Sequence, residues 1–513
     1  MKAKIDIQIK VIFIFTFLFI LLPNLILSQI RSDFMIDPDT TFHQSKPAVA
    51  LDENGNWHII YTALDTIGEY IKHTLLNQAG ESLKSPQIIK DNHAPMGTIM
   101  GLSIATSQHY TVVGIQALDP SGRDIYFQIL NKIGDPLMPV YRFPDATDVV
   151  GNIDVCFIND STFYACYTDH KPEYEHEVVC MQAGLSSGYL SSEYKIVNGD
   201  SNSFYQCEWT TIASNLSSNS IAVVWQDNNS GIFQIYCKIF LKDLTPISSR
   251  ILITEDMKEN YSVYPEVTMA SNGNFAVIWI SKVDNHCNVH CRKFTNDGKP
   301  VTRNIKVNQE PLPELTTADI AMDNEGKFIV TWVGSGIKNK VIFGQRFSED
   351  GFPIGENFII TAESNRYSKT SPRTLLLNNK IYNVWKTEPP PGIKGTSFIQ
   401  ANVLDFKNPT AVSNCHFKEN NRNFYLFYNY PNPFNSQMII SYELQEKKHI
   451  RTNIYDISGR EVITLLDQSQ VAGYYQVLWN GKDNQQHDLP SGIYVVVLKA
   501  DDMIQTKKIV LVR

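Results

Sequence analysis

Pro265 to Trp279 reads PEVTMASNGNFAVIW, and the same pattern returns along most of the chain. Pro47 to Tyr61 (PAVALDENGNWHIIY) and Ala318 to Trp332 (ADIAMDNEGKFIVTW) match it in length, and Pro372 to Trp385 is one residue shorter. Weaker copies end at Gly114, Tyr167 and Trp225. Between the closing residues Tyr61, Gly114, Tyr167, Trp225, Trp279, Trp332 and Trp385 the intervals are 53, 53, 58, 54, 53 and 53. A period of that length implies stacked units or a propeller, in which each unit buries its apolar faces against its neighbours.

Each copy reads as a hairpin. Asn272-Gly273 lies between two apolar runs, and such turns need residues that tolerate positive φ. The second run, Phe275 to Ile280, is apolar at consecutive positions, which predicts a strand buried on both faces. A variable polar loop follows, then a third strand such as Ile235 to Phe240 or Val289 to Phe294. A turn such as Asn296-Asp297-Gly298 leads to a fourth strand such as Asn304 to Asn308. Four antiparallel strands per unit make one propeller blade. The expectation is an all-β chain with a seven-bladed β-propeller over residues 29–407. Unit seven has a third strand at Phe398 to Phe406 but no fourth, while Phe34 to Asp37 resembles a fourth strand that lacks a blade. That segment is predicted to complete blade seven and close the ring. The alternative is an open array of hairpins, whose exposed edges would need cover.

The termini differ in character. Lys2, Lys4 and Lys10 precede an apolar run from Val11 to Leu22, with small residues before Gln29, the layout of a secretory signal peptide over residues 1–28. The alternative, a membrane anchor, would need about 20 apolar residues. The net charge of −8 argues against nucleic-acid binding. Residues 408–423 are polar and read as a linker, and residues 424–513 alternate apolar and polar positions as a small β-sandwich does.

This last segment resembles the type A C-terminal sorting domain of the type IX secretion system. The matching residues are Tyr430-Pro431-Asn432-Pro433-Phe434-Asn435, Tyr455-Asp456, Gly459-Arg460, Gly473, Trp479-Asn480-Gly481, Ser491-Gly492-Ile493-Tyr494 and Lys508-Ile509-Val510. Ser436 stands where the family often has a second proline, and Tyr474 where it often has histidine. The resemblance implies an Ig-like β-sandwich and export through the periplasm of a Gram-negative bacterium. It also implies recognition by the type IX machinery, with Pro431, Asn432, Pro433, Gly459, Arg460, Gly473, Gly492, Tyr494 and Lys508 carrying the signal. Release, or attachment to outer-membrane lipopolysaccharide at the cell surface, would follow. The alternative is an ordinary Ig-like adhesive module. Residues 33–406 in turn resemble sialidase-like and other propeller repeats of secreted bacterial surface proteins, a likeness that carries fold and little about activity.

Motifs for chemistry are few. Gly184-Leu185-Ser186-Ser187-Gly188 fits a nucleophile elbow in letters but lacks the strand-to-helix context that exposes such a serine. His286, Cys287, His290 and Cys291 would alternate faces of a strand and cannot converge on one zinc. The acidic turns at Asp52 and Asp323 lack a spaced calcium-ligand series. No catalytic residue, metal site or cofactor is therefore assigned. Cys166 and Cys180, with Cys156 near, are candidates for one local disulfide, whereas Cys237 and Cys291 read as small packed side chains. The loops joining strands two and three, and those between blades, share one end of a propeller. There Glu173, His176, Asp227, Tyr261, Tyr264, Asp284 and His286 are the candidates for binding carbohydrate or protein. The alternative function is a secreted glycan-degrading hydrolase that uses loop-face carboxylates.

Overall fold

The computed structural model describes residues 29–513 except 40, 91–96, 120–121, 144–148, 171–175, 187–188, 199–206, 229, 258–260, 284–285, 311, 313, 337–338, 362–366, 390–394, 408–423, 431–433, 445–446, 472 and 502. The signal-peptide and linker segments lie outside the described residues.

Seven four-stranded antiparallel sheets follow one another along the chain. Blade five, which contains the opening pattern, is built from Tyr261–Met269, Phe275–Val283, His286–Phe294 and Ile305–Lys306. Its second strand shows why the apolar run is continuous. Phe275, Val277 and Trp279 pack with Val224, Ile235 and Ile239 of blade four. Ala276, Ile278 and Ile280 pack with Phe328, Val330 and Trp332 of blade six. Period-two alternation sends successive side chains to opposite faces, so a strand between two blades needs apolar residues at every position.

The first strands of successive blades lie side by side, and the first strand of blade one (His43–Leu51) packs against that of blade seven (Ser368–Leu377). Blade seven takes its outer strand from the N-terminal segment Gln29–Met35, which pairs antiparallel with Phe398–Asp405. The pairing starts earlier than the sequence suggests. Ile36 still donates to the Ile399 carbonyl at 2.9 Å, and Asp37 then turns inward. There Asp37 accepts from the Tyr61 hydroxyl (2.7 Å) and the Lys72 ammonium (2.9 Å) of blade one.

A β-bulge recurs in the first strands. It falls between Ser45 and Ala48, Val150 and Asp154, Glu208 and Thr211, Val263 and Glu266, and Thr370 and Arg373. In each case a residue inside the bulge has positive φ: Lys46 (49°), Gly151 (84°), Trp209 (52°), Tyr264 (55°) and Ser371 (52°). Proline follows at Pro47, Pro265 and Pro372, and a bulge tolerates the missing N–H because its extra residue is unpaired. Glycine is required in blade three, where a Cβ on Gly151 would lie 2.7 Å from the Trp209 backbone nitrogen.

Cys156, Cys166 and Cys180 are free thiols, which corrects the disulfide reading. Cys166 and Cys180 are register partners but are packed among Tyr164, Val178 and Ile212. Burial pushes the Cys156 thiol up to about 12 and the other two well above their ordinary value, which leaves them unreactive. Cys237 and Cys291 are buried, as small packed residues should be.

Beyond the seventh blade, Phe424–Tyr430, Met438–Leu444 and Gly473–Trp479 form a three-stranded sheet. Glu461–Gln470, Lys448–Asp456, Gly492–Ala500 and Met503–Leu511 form a four-stranded one. Met438, Ile440, Tyr442 and Trp479 from the first meet Ile454, Val496, Leu498 and Ile509 from the second in one core.

Candidate functional site

The bulges turn two bulky side chains onto the seam between blades four and five. Trp209 and Tyr264 meet edge to face, with ring centroids 4.7 Å apart. Residues of this size seldom adopt positive φ, and such conformations collect at binding and catalytic sites. Tyr261, 37 % exposed, stands on the same strand as Tyr264 and meets Phe233 edge-on at 5.6 Å. Burial raises the Tyr261 phenol above its ordinary pKa, and neighbouring Tyr264 and Glu208 add to the effect. Gln226 organises the group, because its amide oxygen accepts from the Tyr264 N–H (2.9 Å) and its amide nitrogen reaches Glu208 at 3.5 Å. The result is a half-buried aromatic ledge with a carboxylate and an amide at its edge.

The first strands of blades two to seven carry a polar belt, which in blades three, four, five and seven lies at the end of the bulge. Asp154 accepts from Ser103 Oγ (2.8 Å), Thr211 Oγ1 (2.8 Å) and the Ile212 N–H (2.9 Å). Thr211 also reaches Glu266 Oε2 at 3.4 Å. Arg373 Nη1 lies 3.6 Å from Glu266 Oε1 and 3.6 Å from Asp319 Oδ1, so those oxygens are at most twice that distance apart. The Arg373 side chain keeps 38 % of its surface accessible, against 20 % for Glu266 and 13 % for Asp319. Since the belt is carried by the innermost strands, that accessible surface faces the axis of the ring.

Burial pushes Glu266 up to about 8; Arg373 opposes the shift, and Asp319 and Asp154 reinforce it. Burial likewise pushes Asp319 up to about 6, again opposed by Arg373. A carboxyl with a raised folded-state pKa holds its proton where the unfolded chain has lost it. Its contribution to stability is complete below the ordinary value of 4.5 and is lost as pH rises through about 8. Thermal melts of the wild type should therefore decline between pH 5 and pH 8.5. Glu266→Gln should flatten that decline by at most about 1.4 kcal/mol per pH unit, the limit for one proton. Parallel pH profiles of the two proteins would rule the assignment out.

The loop-face candidates do not gather in one place. Tyr261 and Tyr264 join the ledge, where sequence reading had no sign of Trp209, Phe233 or Glu208. Trp209 looks like an ordinary strand residue, and its rotation depends on a bulge visible only in the pairing register. His176 is half-buried nearby, its Nδ1 2.8 Å from the Cys207 carbonyl and its ring edge-on to His170 at 4.9 Å. His286 is exposed at the start of its strand, apart from those contacts. Asp227 does not belong to a rim. It is 3 % exposed, 3.0 Å from Arg250 Nη2, and 3.4 Å from Cys207 Sγ. Glu173 and Asp284 lie outside the described residues. No grouping of three or more metal-ligating side chains occurs among the described residues. His290 faces Trp279 in a stack at 5.7 Å, while Cys287 and Cys291 are buried.

In the tail, Gly459 (φ 82°) and Arg460 shape the turn at Asp456, whose carboxylate accepts from the Ser458 and Arg460 N–H groups and pairs with Arg460 at 3.0 Å. Gly473 and Gly492 sit in strands opposite Leu444 and Leu511. Tyr494 is buried edge-on to Trp479 at 5.5 Å and donates to the Pro490 carbonyl at 2.9 Å. Lys508 is an exposed strand residue paired with Val495. Pro431, Asn432 and Pro433 lie outside the described residues.

No curated protein matches this sequence. Among solved structures, a protein of unknown function from Dyadobacter fermentans is similar at 10 % identity and TM-score 0.41, over 73 % of this chain and 98 % of that one. An α-L-arabinanase of Penicillium chrysogenum complexed with arabinobiose is similar at 12 % identity and TM-score 0.39, over 73 % and 98 %. A family PL25 ulvan lyase is similar at 7 % identity and TM-score 0.44, over 74 % and 96 %. Residues 429–512 match the family model of the secretion system C-terminal sorting domain. The tail is therefore a C-terminal sorting domain of the type IX secretion system, and the chain that carries it is an exported protein, secreted or held at the cell surface.

Proposed function

We propose that this exported propeller binds a saccharide on the ledge formed by Trp209, Phe233, Tyr261 and Tyr264, with Glu208 and Gln226 supplying hydrogen bonds. The observation that carries the proposal is the edge-to-face pair of Trp209 and Tyr264, both held at positive φ next to the exposed Tyr261. Aromatic faces bury the apolar side of a sugar ring, while a few fixed polar groups orient its hydroxyls. The chain passes through the periplasm, and its propeller is then released or attached to lipopolysaccharide. A glycan array followed by calorimetry on the full chain tests the binding. Tyr261→Ala should weaken the selected oligosaccharide about tenfold or more, as expected for an aromatic anchor. Binding that survives both Tyr261→Ala and Trp209→Ala would refute the ledge as the site.

A second reading, glycan hydrolysis, is favoured by Glu266 and Asp319. These two carboxyls converge on one guanidinium and have raised pKa values, so one could act as acid while the other accepts a proton from water. Turnover of a glycan that disappears in Glu266→Gln would favour this reading over binding alone.

A further inference from the structure

We propose that His58 and His73 form an acid-sensitive latch between blades one and two, which holds the seam only while both imidazoles are neutral. His58 lies on the second strand of blade one and His73 on the third. Both are 0 % exposed, and His58 Nδ1 is 3.1 Å from His73 Nε2. Blade two closes over them. Thr111 Oγ1 is 3.2 Å from His58 Nδ1, and the turn ending at Gly134 presses on His73 so closely that a Cβ at Gly134 would lie 2.0 Å from the ring. The outward nitrogens, His58 Nε2 and His73 Nδ1, have no hydrogen-bond partner among the described residues. One proton between the facing nitrogens satisfies both of them. The acceptor ring then keeps its own N–H on its outward nitrogen. A further proton therefore enters the other outward nitrogen, where it adds a buried charge and an N–H with no acceptor, and protonating both rings would set N–H against N–H across the pair.

The charged groups around the latch are Asp52, Lys84 and Asp135, and Lys84 and Asp135 are paired at 2.5 Å. Burial pushes His58 down to about 4, with Asp52 opposing and Lys84 reinforcing the shift. Burial, His58 and Lys84 push His73 down to about 3, with Asp135 opposing. A depressed histidine contributes stability that is complete above its ordinary value of 6.5 and is lost as pH falls toward the folded value. An exported propeller meets whatever pH its surroundings have, and the latch would make this seam the first to open in acid.

Hydrogen exchange read by mass spectrometry on the full chain tests the proposal, with blade four, whose strands hold no histidine, as the internal reference for intrinsic pH effects. Between pH 7.5 and pH 5, opening across 57–76 and 110–135 should rise about thirtyfold per histidine relative to blade four. His73→Gln, which cannot gain charge, should remove about one histidine's share while leaving seam protection at pH 7.5 within a few-fold of wild type. His58→Asn serves the same purpose if His73→Gln does not fold. Histidine ring signals that titrate above pH 6, or acid deprotection equal in all blades, would overturn the latch.

Discussion

Trp279→Ala should destabilise the propeller by about 3–5 kcal/mol, the range for emptying a fully packed indole site. The indole is 0 % exposed and lies flat on His290, with ring centroids 5.7 Å apart and planes at 14°. It is also the largest side chain of its buried cluster, which includes Val224, Ile235 and Cys237. The neighbouring side chains stand on strands whose hydrogen bonds hold them in place, so the cavity cannot collapse. A shift of the guanidinium midpoint with an unchanged slope would report this cost. A loss below about 1 kcal/mol would show that the layer can close around the void. Trp225, Trp332 and Trp385 are buried at the corresponding places, and alanine there should cost amounts in the same range.

Asp37→Ala should cost about as much, roughly 3–5 kcal/mol, by a different route: it leaves a buried cation without its partner. Asp37 is 3 % exposed and receives both the Tyr61 hydroxyl and the Lys72 ammonium. Without it, Lys72 keeps, among the described residues, Asp39 at 3.6 Å and the Phe42 ring at 4.1 Å. The effect should be local before it is global, because Asp37 ends the segment that closes the ring. Gln44 works at the same junction, donating to the Asp39 carbonyl (2.9 Å) and accepting from the Ile399 N–H (3.0 Å). Faster amide exchange in 29–37 and 398–405, with blade four unchanged, is the expected signature. Lys72→Met in the same background should recover part of the loss, since replacing both partners removes the orphaned charge. No recovery would mean that the Tyr61 hydrogen bond or the backbone turn carries the junction instead.

Much of this architecture is legible without coordinates. The spacing of Tyr61, Trp225, Trp279, Trp332 and Trp385 reports the blades because each unit must bury the same two faces, and that requirement repeats in one dimension. The unbroken run Phe275 to Ile280 announces a strand between neighbours for the same reason. The unpaired third strand at Phe398 and the stray strand at Phe34 point to each other because sheet edges need partners. The tail is legible through short motifs whose glycines and aromatics serve local turns and one compact core.

Site geometry was less legible, and the residues show why. Asp227 sits at the loop end of its strand and looks like a ligand group, yet Arg250, just ahead of the fourth strand of the same blade, reaches it. Trp209 looks like packing, yet a bulge swings it against Tyr264. Glu266 and Arg373 are 107 positions apart, and Asp319 comes from the blade between them. What the sequence alone determined is the repeat, the pairing of the N-terminal strand with the seventh blade and the sorting tail, since each depends on local pattern and period. Tertiary structure alone decided which polar side chains meet at the axis and on the ledge. Those meetings depend on the curvature of the ring and on single-residue register shifts, neither of which leaves a periodic trace.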